Sequence, residues 1–136
     1  LTTSASCVSP SRTMEDYERK AANSAESMIS VAESTILAAD LASSGNAPAP
    51  FVSLRLRESE EDAEWIITSF SAVQPPTEEA DDLRNDVLRT LDEVASITTA
   101  ARIKAYRAEL NDLPETVAPL KRLVSDLEDL AKLGET

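Results

Sequence analysis

Histidine is missing from the 136 residues, and glycine, cysteine and the aromatics are scarce, at two, one and five residues. Without an imidazole the chain offers no Ser-His-Asp triad, no phosphotransfer histidine and no histidine-ligated zinc or haem. Gly45 and Gly134 stand too far apart to write a dinucleotide-binding or phosphate-binding glycine loop. The lone Cys7 cannot close an internal disulfide or build a structural zinc site, and as a nucleophile it lacks a partner base. No apolar run reaches the ~18 residues a membrane-spanning helix needs. Basic residues number 13 against 25 acidic ones, a net charge of −12, so the basic stripe that a nucleic-acid backbone requires is also missing. No catalytic residue, no cofactor and no nucleic-acid partner is expected.

What is present is a chain of single-domain length with 42% apolar residues, mostly small and medium side chains. Such residues pack well on helices, whereas strands favour more Val, Ile, Tyr and Phe. The spacing predicts four helices. The first runs from about Met14 to Ser43, with Thr13 and Asp16 as a capping pair and Gly45-Asn46 as its stop. The second spans about Phe51 to Val73. Its opening Val52-Ser53-Leu54-Arg55-Leu56-Arg57 alternates like a strand, but Val52, Leu56, Ser59, Ala63, Ile66, Phe70 and Val73 keep unbroken steps of three and four. Gln74-Pro75-Pro76 reverses the chain, Thr77 caps a third helix, and that helix extends to about Asn111 with Leu83, Val87, Leu91, Val94, Thr98, Ala101, Ala105 and Ala108 facing inward. Asp112 and Glu115 repeat the capping spacing before a fourth helix that ends near Leu133 and is kinked or delayed by Pro119. Short links make sequential helices antiparallel, so the expected fold is all-α, an up-down-up-down four-helix bundle over residues 13–136 behind a flexible tail of residues 1–12.

Three groups of residues invite a functional reading. The carboxylates Glu58, Glu61 and Asp62, with Glu60 and Glu64 nearby, can in principle hold a divalent cation, but ferritin-like bundles add a Glu-x-x-His motif that is missing here, and a solvated helix face accounts for them better. Arg89 falls where an antiparallel partner of Glu61 and Asp62 is expected. Ser59 and Thr98 lie on inward seams beside small alanines, which suggests either a ligand cavity or close helix approach with hydroxyls bonded to the backbone. Leu54 and Trp65 on the second helix, and Leu123, Leu130 and Leu133 on the fourth, lie beside the main apolar stripes. They form either a protein-docking surface or a wide core-facing stripe.

The opening Leu1-Thr2-Thr3-Ser4-Ala5-Ser6-Cys7 is uncharged and small. Ala5-Ser6-Cys7 fits the end of a bacterial lipoprotein box, with Ser4 where a Leu-like residue is usual, so Cys7 is a candidate lipidation site and export is expected. One acyl chain holds a protein weakly, at about 0.8 kcal/mol per buried CH₂, so a diacylated cysteine is the physically sensible anchor.

The segment from Phe51 to Gly134 resembles a type of uncharacterised, exported, lipoprotein-like helical-bundle protein of actinobacteria. The likeness rests on Leu56-Arg57-Glu58-Ser59-Glu60-Glu61, Gln74-Pro75-Pro76, Leu83-Arg84, Ala101-Arg102-Ile103, Leu113-Pro114 and Pro119-Leu120. It implies an envelope location, often with lipid attachment, and brings no activity or catalytic residue. The expectation is therefore a non-catalytic, extracytoplasmic bundle on the outer face of the cytoplasmic membrane. It would be held there by a lipid rather than a transmembrane helix, as an accessory or scaffolding subunit of a membrane protein complex. The alternative is a bundle that binds a small ligand at the Thr98 seam or a metal ion at the Glu61 carboxylates.

Overall fold

Local capping chemistry sets where the helices begin. The computed structural model describes residues 13–135. Helix α1, Met14–Ser43, starts where the Thr13 hydroxyl accepts the Asp16 N–H at 3.0 Å, with Glu15 and Asp16 at the positive end of the helix dipole. It ends in a Schellman turn. Gly45, at φ +74°, bonds back to the Ala42 carbonyl, and Asn46 reaches the Leu41 carbonyl. Helix α2, Ala49–Ser71, begins two residues before the expected Phe51, because Pro50 in the first turn needs no hydrogen-bond partner for its nitrogen. The strand-like stretch 52–57 is helical: Val52, Leu56, Ser59, Ala63 and Phe70 are buried, and Ile66 and Val73 pack against that core.

Helix α3, Glu78–Tyr106, starts at Thr77, whose hydroxyl accepts the Ala80 N–H at 3.4 Å, with Glu78, Glu79 and Asp81 in its first turn. It stops five residues short of Asn111. A second Schellman turn closes it, with Ala108 N–H on the Ala105 carbonyl and Glu109 N–H on the Lys104 carbonyl. Ala108 occupies the left-handed position at φ +59° and is exposed, contrary to its expected place on the inner face. Periodicity alone gives no warning that a chain will turn without glycine.

The fourth position of the bundle is filled in pieces: a 3₁₀ turn, Leu110–Asp112, then α4, Leu113–Val117, α5, Leu120–Ala131, and a final 3₁₀ turn, Lys132–Glu135. The break at Pro119 is where the missing N–H was expected to interrupt the helix. Asp112 does not cap α4 with its side chain. Its carboxylate lies 3.3 Å from Lys104 Nζ instead, tying this turn to the end of α3.

The result is an antiparallel four-helix bundle in which α1 packs against α2, α3 and α5, and α2 packs along α3. The core is a run of alanines with a few large side chains. Tyr17, Met28, Leu56, Phe70, Leu91, Leu113, Leu120 and Leu127 fill the volume, and the Tyr17 and Phe70 rings meet at 5.6 Å between centroids. Alanines such as Ala21, Ala25, Ala32 and Ala39 on α1 are fully buried. The closing 3₁₀ turn also lies close to α1: a Cβ added at Gly134 would sit 3.0 Å from Ala22 Cβ.

Candidate functional site

Of the carboxylates Glu58, Glu61 and Asp62, the first two meet cations of their own helix and the third is left on the surface. Glu58 Oε2 is 3.0 Å from Arg55, and Glu61 Oε1 is 3.5 Å from Arg57. Asp62 is exposed on α2. Among the described residues no group of three or more His, Cys, Asp or Glu is placed to hold a metal ion. Arg89 turns to Asp86 of its own helix at 2.7 Å rather than across to Glu61 and Asp62, because a partner three residues away needs less chain ordering than one on another helix. The bridge between α2 and α3 is instead Glu60–Arg102, with Arg102 Nε 3.0 Å from both carboxylate oxygens. Burial pushes the Glu60 carboxyl up, but hydrogen bonds from Thr99 and Arg102 outweigh it and hold its pKa below the ordinary value.

Thr98 is fully buried, as its inward spacing required, and so is Thr35 on α1 opposite it. Thr35 Oγ1 donates to the Val31 carbonyl at 2.9 Å, and the two hydroxyl oxygens lie 3.3 Å apart. Thr98 donating to Thr35 Oγ1 satisfies both groups at once. This is the polar fastening of a close α1–α3 approach. Thr35 sits on the α1 core stripe, three residues after Ala32 and four before Ala39, and only its partner across the bundle reveals its role.

The five apolar residues read as a possible docking set divide. Leu123 is 1% exposed and belongs to the core, packed with Leu120 and Leu127 on the inner side of α5, so it cannot serve a surface. Leu130 is half-buried against the same core, and Leu133 is half-buried in the closing turn. Leu54 and Trp65 are exposed, the indole by 71%. The structure also brings Leu37 and half-buried Leu41 on α1 together with Phe51 at the start of α2, a group that no single-helix pattern contains. In the sequence Phe51 marks only a helix start, and Leu37 directly follows Ile36, which packs against the core.

Trp65, Leu37, Leu41 and Phe51 line a groove between α1 and α2, whereas Leu54 lines neither part of it. Its upper part, about 360 Å³, is lined by Ser27, Ser30, Ser34, Asp62, Trp65 and Ile66. Its lower part, about 210 Å³, is lined by Leu37, Ala38, Leu41, Phe51, Val52 and Arg55, and Ser34 borders both. Small serines on α1 keep that wall low, while Trp65 and Phe51 stand at the two ends of the α2 wall.

Comparison with protein-family models, curated proteins and solved structures gave no match to this chain. No helix among the described residues is long and apolar enough to cross a membrane. Cys7, the candidate lipidation site, lies outside the described residues.

Proposed function

We propose that this chain is a non-catalytic helical bundle of the cell envelope, tethered through an acylated Cys7, that serves as an accessory or scaffolding subunit of a membrane protein complex. The observation that carries the reading is the set of exposed apolar side chains that line the α1–α2 groove: Leu37, Phe51 and Trp65. Large apolar side chains gathered beside a groove favour a protein partner, since each loses unfavourable contact with water on docking. The Ala5-Ser6-Cys7 sequence and the likeness of residues 51–134 to exported actinobacterial bundles support the tether. Glu58 and Glu61 are paired with Arg55 and Arg57, and the Thr98 hydroxyl with Thr35, so these groups give the ligand-binding alternative no support.

Two measurements test it. Radiolabelled fatty acid is expected on the wild-type chain in its bacterial host and not on Cys7→Ala; label that persists in the variant overturns the tether. Purification from detergent-solubilised membranes is expected to retain a membrane protein with the wild type and to lose it with Trp65→Ala. Equal recovery with both removes the docking role. A rise in the unfolding midpoint with Ca²⁺, Mg²⁺ or Mn²⁺ would favour the metal-binding alternative, because a ligand selective for the folded state must raise it.

A further inference from the structure

The groove between α1 and α2 has a definite length and a definite charge. Its walls run from Ser27 to Leu41 on α1 and from Phe51 to Ile66 on α2. Fourteen and fifteen helical steps span about 21–23 Å, the length of a four-turn helix. The low serine wall on one side and the Phe51 and Trp65 rings on the other leave a trough for a cylinder of side chains rather than a flat face.

Carboxylates flank the exposed apolar residues at helical spacing. Leu37 has Glu33 four residues before it and Asp40 three after; Leu54 has Glu58 four after; Trp65 has Glu61 and Asp62 four and three before. From Ala21 to Ser43, α1 carries Glu26, Glu33 and Asp40 and no cation. The two cations of α2, Arg55 and Arg57, are already paired with Glu58 and Glu61. Among the described residues no ion pair engages Glu33, Asp40 or Asp62. A second copy of this chain would bring the same acidic rim and a further −12 of charge to the surface, and an anionic lipid surface would be repelled in the same way.

We propose that the α1–α2 groove seats a cationic amphipathic helix of about four turns belonging to the partner. This rests on the protein-docking reading above and names the chemistry of that partner. Apolar residues on one face of the incoming helix fill the trough against Leu37, Phe51 and Trp65, and Lys or Arg on its flanks meet Glu33, Asp40, Glu61 and Asp62.

The test is selection of 16-residue peptides from a displayed library of mixed net charge. The library is panned against the whole chain and, in parallel, against Leu37→Glu and Trp65→Ala. Both substitutions alter exposed side chains, and far-ultraviolet circular dichroism verifies that each variant keeps its helices. Enriched peptides are expected to carry net positive charge with apolar residues at three- and four-residue spacing, and to lose at least tenfold in affinity on Leu37→Glu. Binding is read by the emission shift of Trp65, the only tryptophan, and should weaken at least threefold between 50 and 300 mM NaCl.

Enrichment of acidic, proline-rich or non-periodic peptides overturns the proposal, as does the absence of any enrichment that depends on Leu37 or Trp65. A wild-type dimer in light scattering that Leu37→Glu returns to monomer also overturns it, since the occupant is then a second copy. Peptide selection is independent of acylation, so its failure leaves the Cys7 tether standing, and loss of the tether leaves the groove's selectivity untouched.

Discussion

Ala108 stands where a glycine would cost less. An L-residue in the left-handed region gives up about 1–2 kcal/mol to crowding of its Cβ, while glycine in the same place loses only its extra freedom in the unfolded chain. Ala108→Gly should therefore stabilise the protein by about 0.5–1 kcal/mol in urea unfolding. Gly45 is the mirror experiment. Its φ is +74° and a Cβ there meets nothing within 4 Å, so Gly45→Ala should destabilise by about 1 kcal/mol through backbone strain alone. Tyr17 supplies a third case. Its ring is fully buried, and its hydroxyl is the one buried side-chain oxygen or nitrogen among the described residues without a hydrogen-bond partner. Tyr17→Phe keeps the ring packing on Phe70 and removes an unsatisfied group, for an expected gain of about 1 kcal/mol in thermal unfolding. Burial raises the Tyr17 pKa above its ordinary 10.0; nearby Arg84 partly opposes this and Asp81 adds to it. The unfolded chain thus releases this proton first. The Tyr17 contribution is intact below pH 10 and is lost as pH rises through the folded value, so the advantage of Tyr17→Phe should widen above pH 10.

At the scale of elements, the α2–α3 pair is fastened by apolar packing and by Glu60–Arg102, whose carboxylate is more buried than that of any other ion pair in the described structure. Glu60→Gln should cost about 1 kcal/mol, because the hydrogen bonds survive in weaker form while the charge attraction is lost. The Glu60 pKa is lowered in the fold, so its contribution is present above the unfolded value near 4.5 and disappears as pH falls through the folded value. Wild type and Glu60→Gln should accordingly converge in stability in acid, which urea titrations at successive pH values would record.

The elements themselves were legible wherever a repeat of three and four ran uninterrupted with a hydroxyl cap at its start, as in α1 from Thr13 and α3 from Thr77. Legibility failed where the chain turned without the expected residue. Ala108 gives no glycine signal, and Asp112 has a cap's sequence but points its carboxylate to Lys104. The site was half legible. Leu54 and Trp65 sit visibly off the α2 stripe, whereas Leu123 continues the α5 stripe closely enough that only the packing of a narrow helix decides its side. Leu37 and Phe51 join the groove through a neighbouring helix, which no single-helix pattern contains.

For the molecule as a whole, a net charge of −12 on so small a bundle means that like charges repel across its surface. Salt shortens the reach of that repulsion from about 30 Å at 0.01 M to about 3 Å at 1 M. The unfolding midpoint should rise by about 4 °C between 10 mM and 0.5 M NaCl, measured by calorimetry at pH 7. A fall would mean that the ion pairs on the helix surfaces outweigh the general repulsion.

Gly134 lies against Ala22, within the third turn of α1, so the last turn of the described chain returns to the pole from which the first helix departs. A peptide joining residue 135 to residue 13 would run back along the first turns of α1, roughly 14 Å of helix from Ala22, and the chain could then be opened at Ala47-Pro48 on the opposite pole without cutting a helix. Such a circular permutant would retain the same bundle while moving both ends to the far pole. Any cargo fused there would be displayed at the pole away from the start of α1.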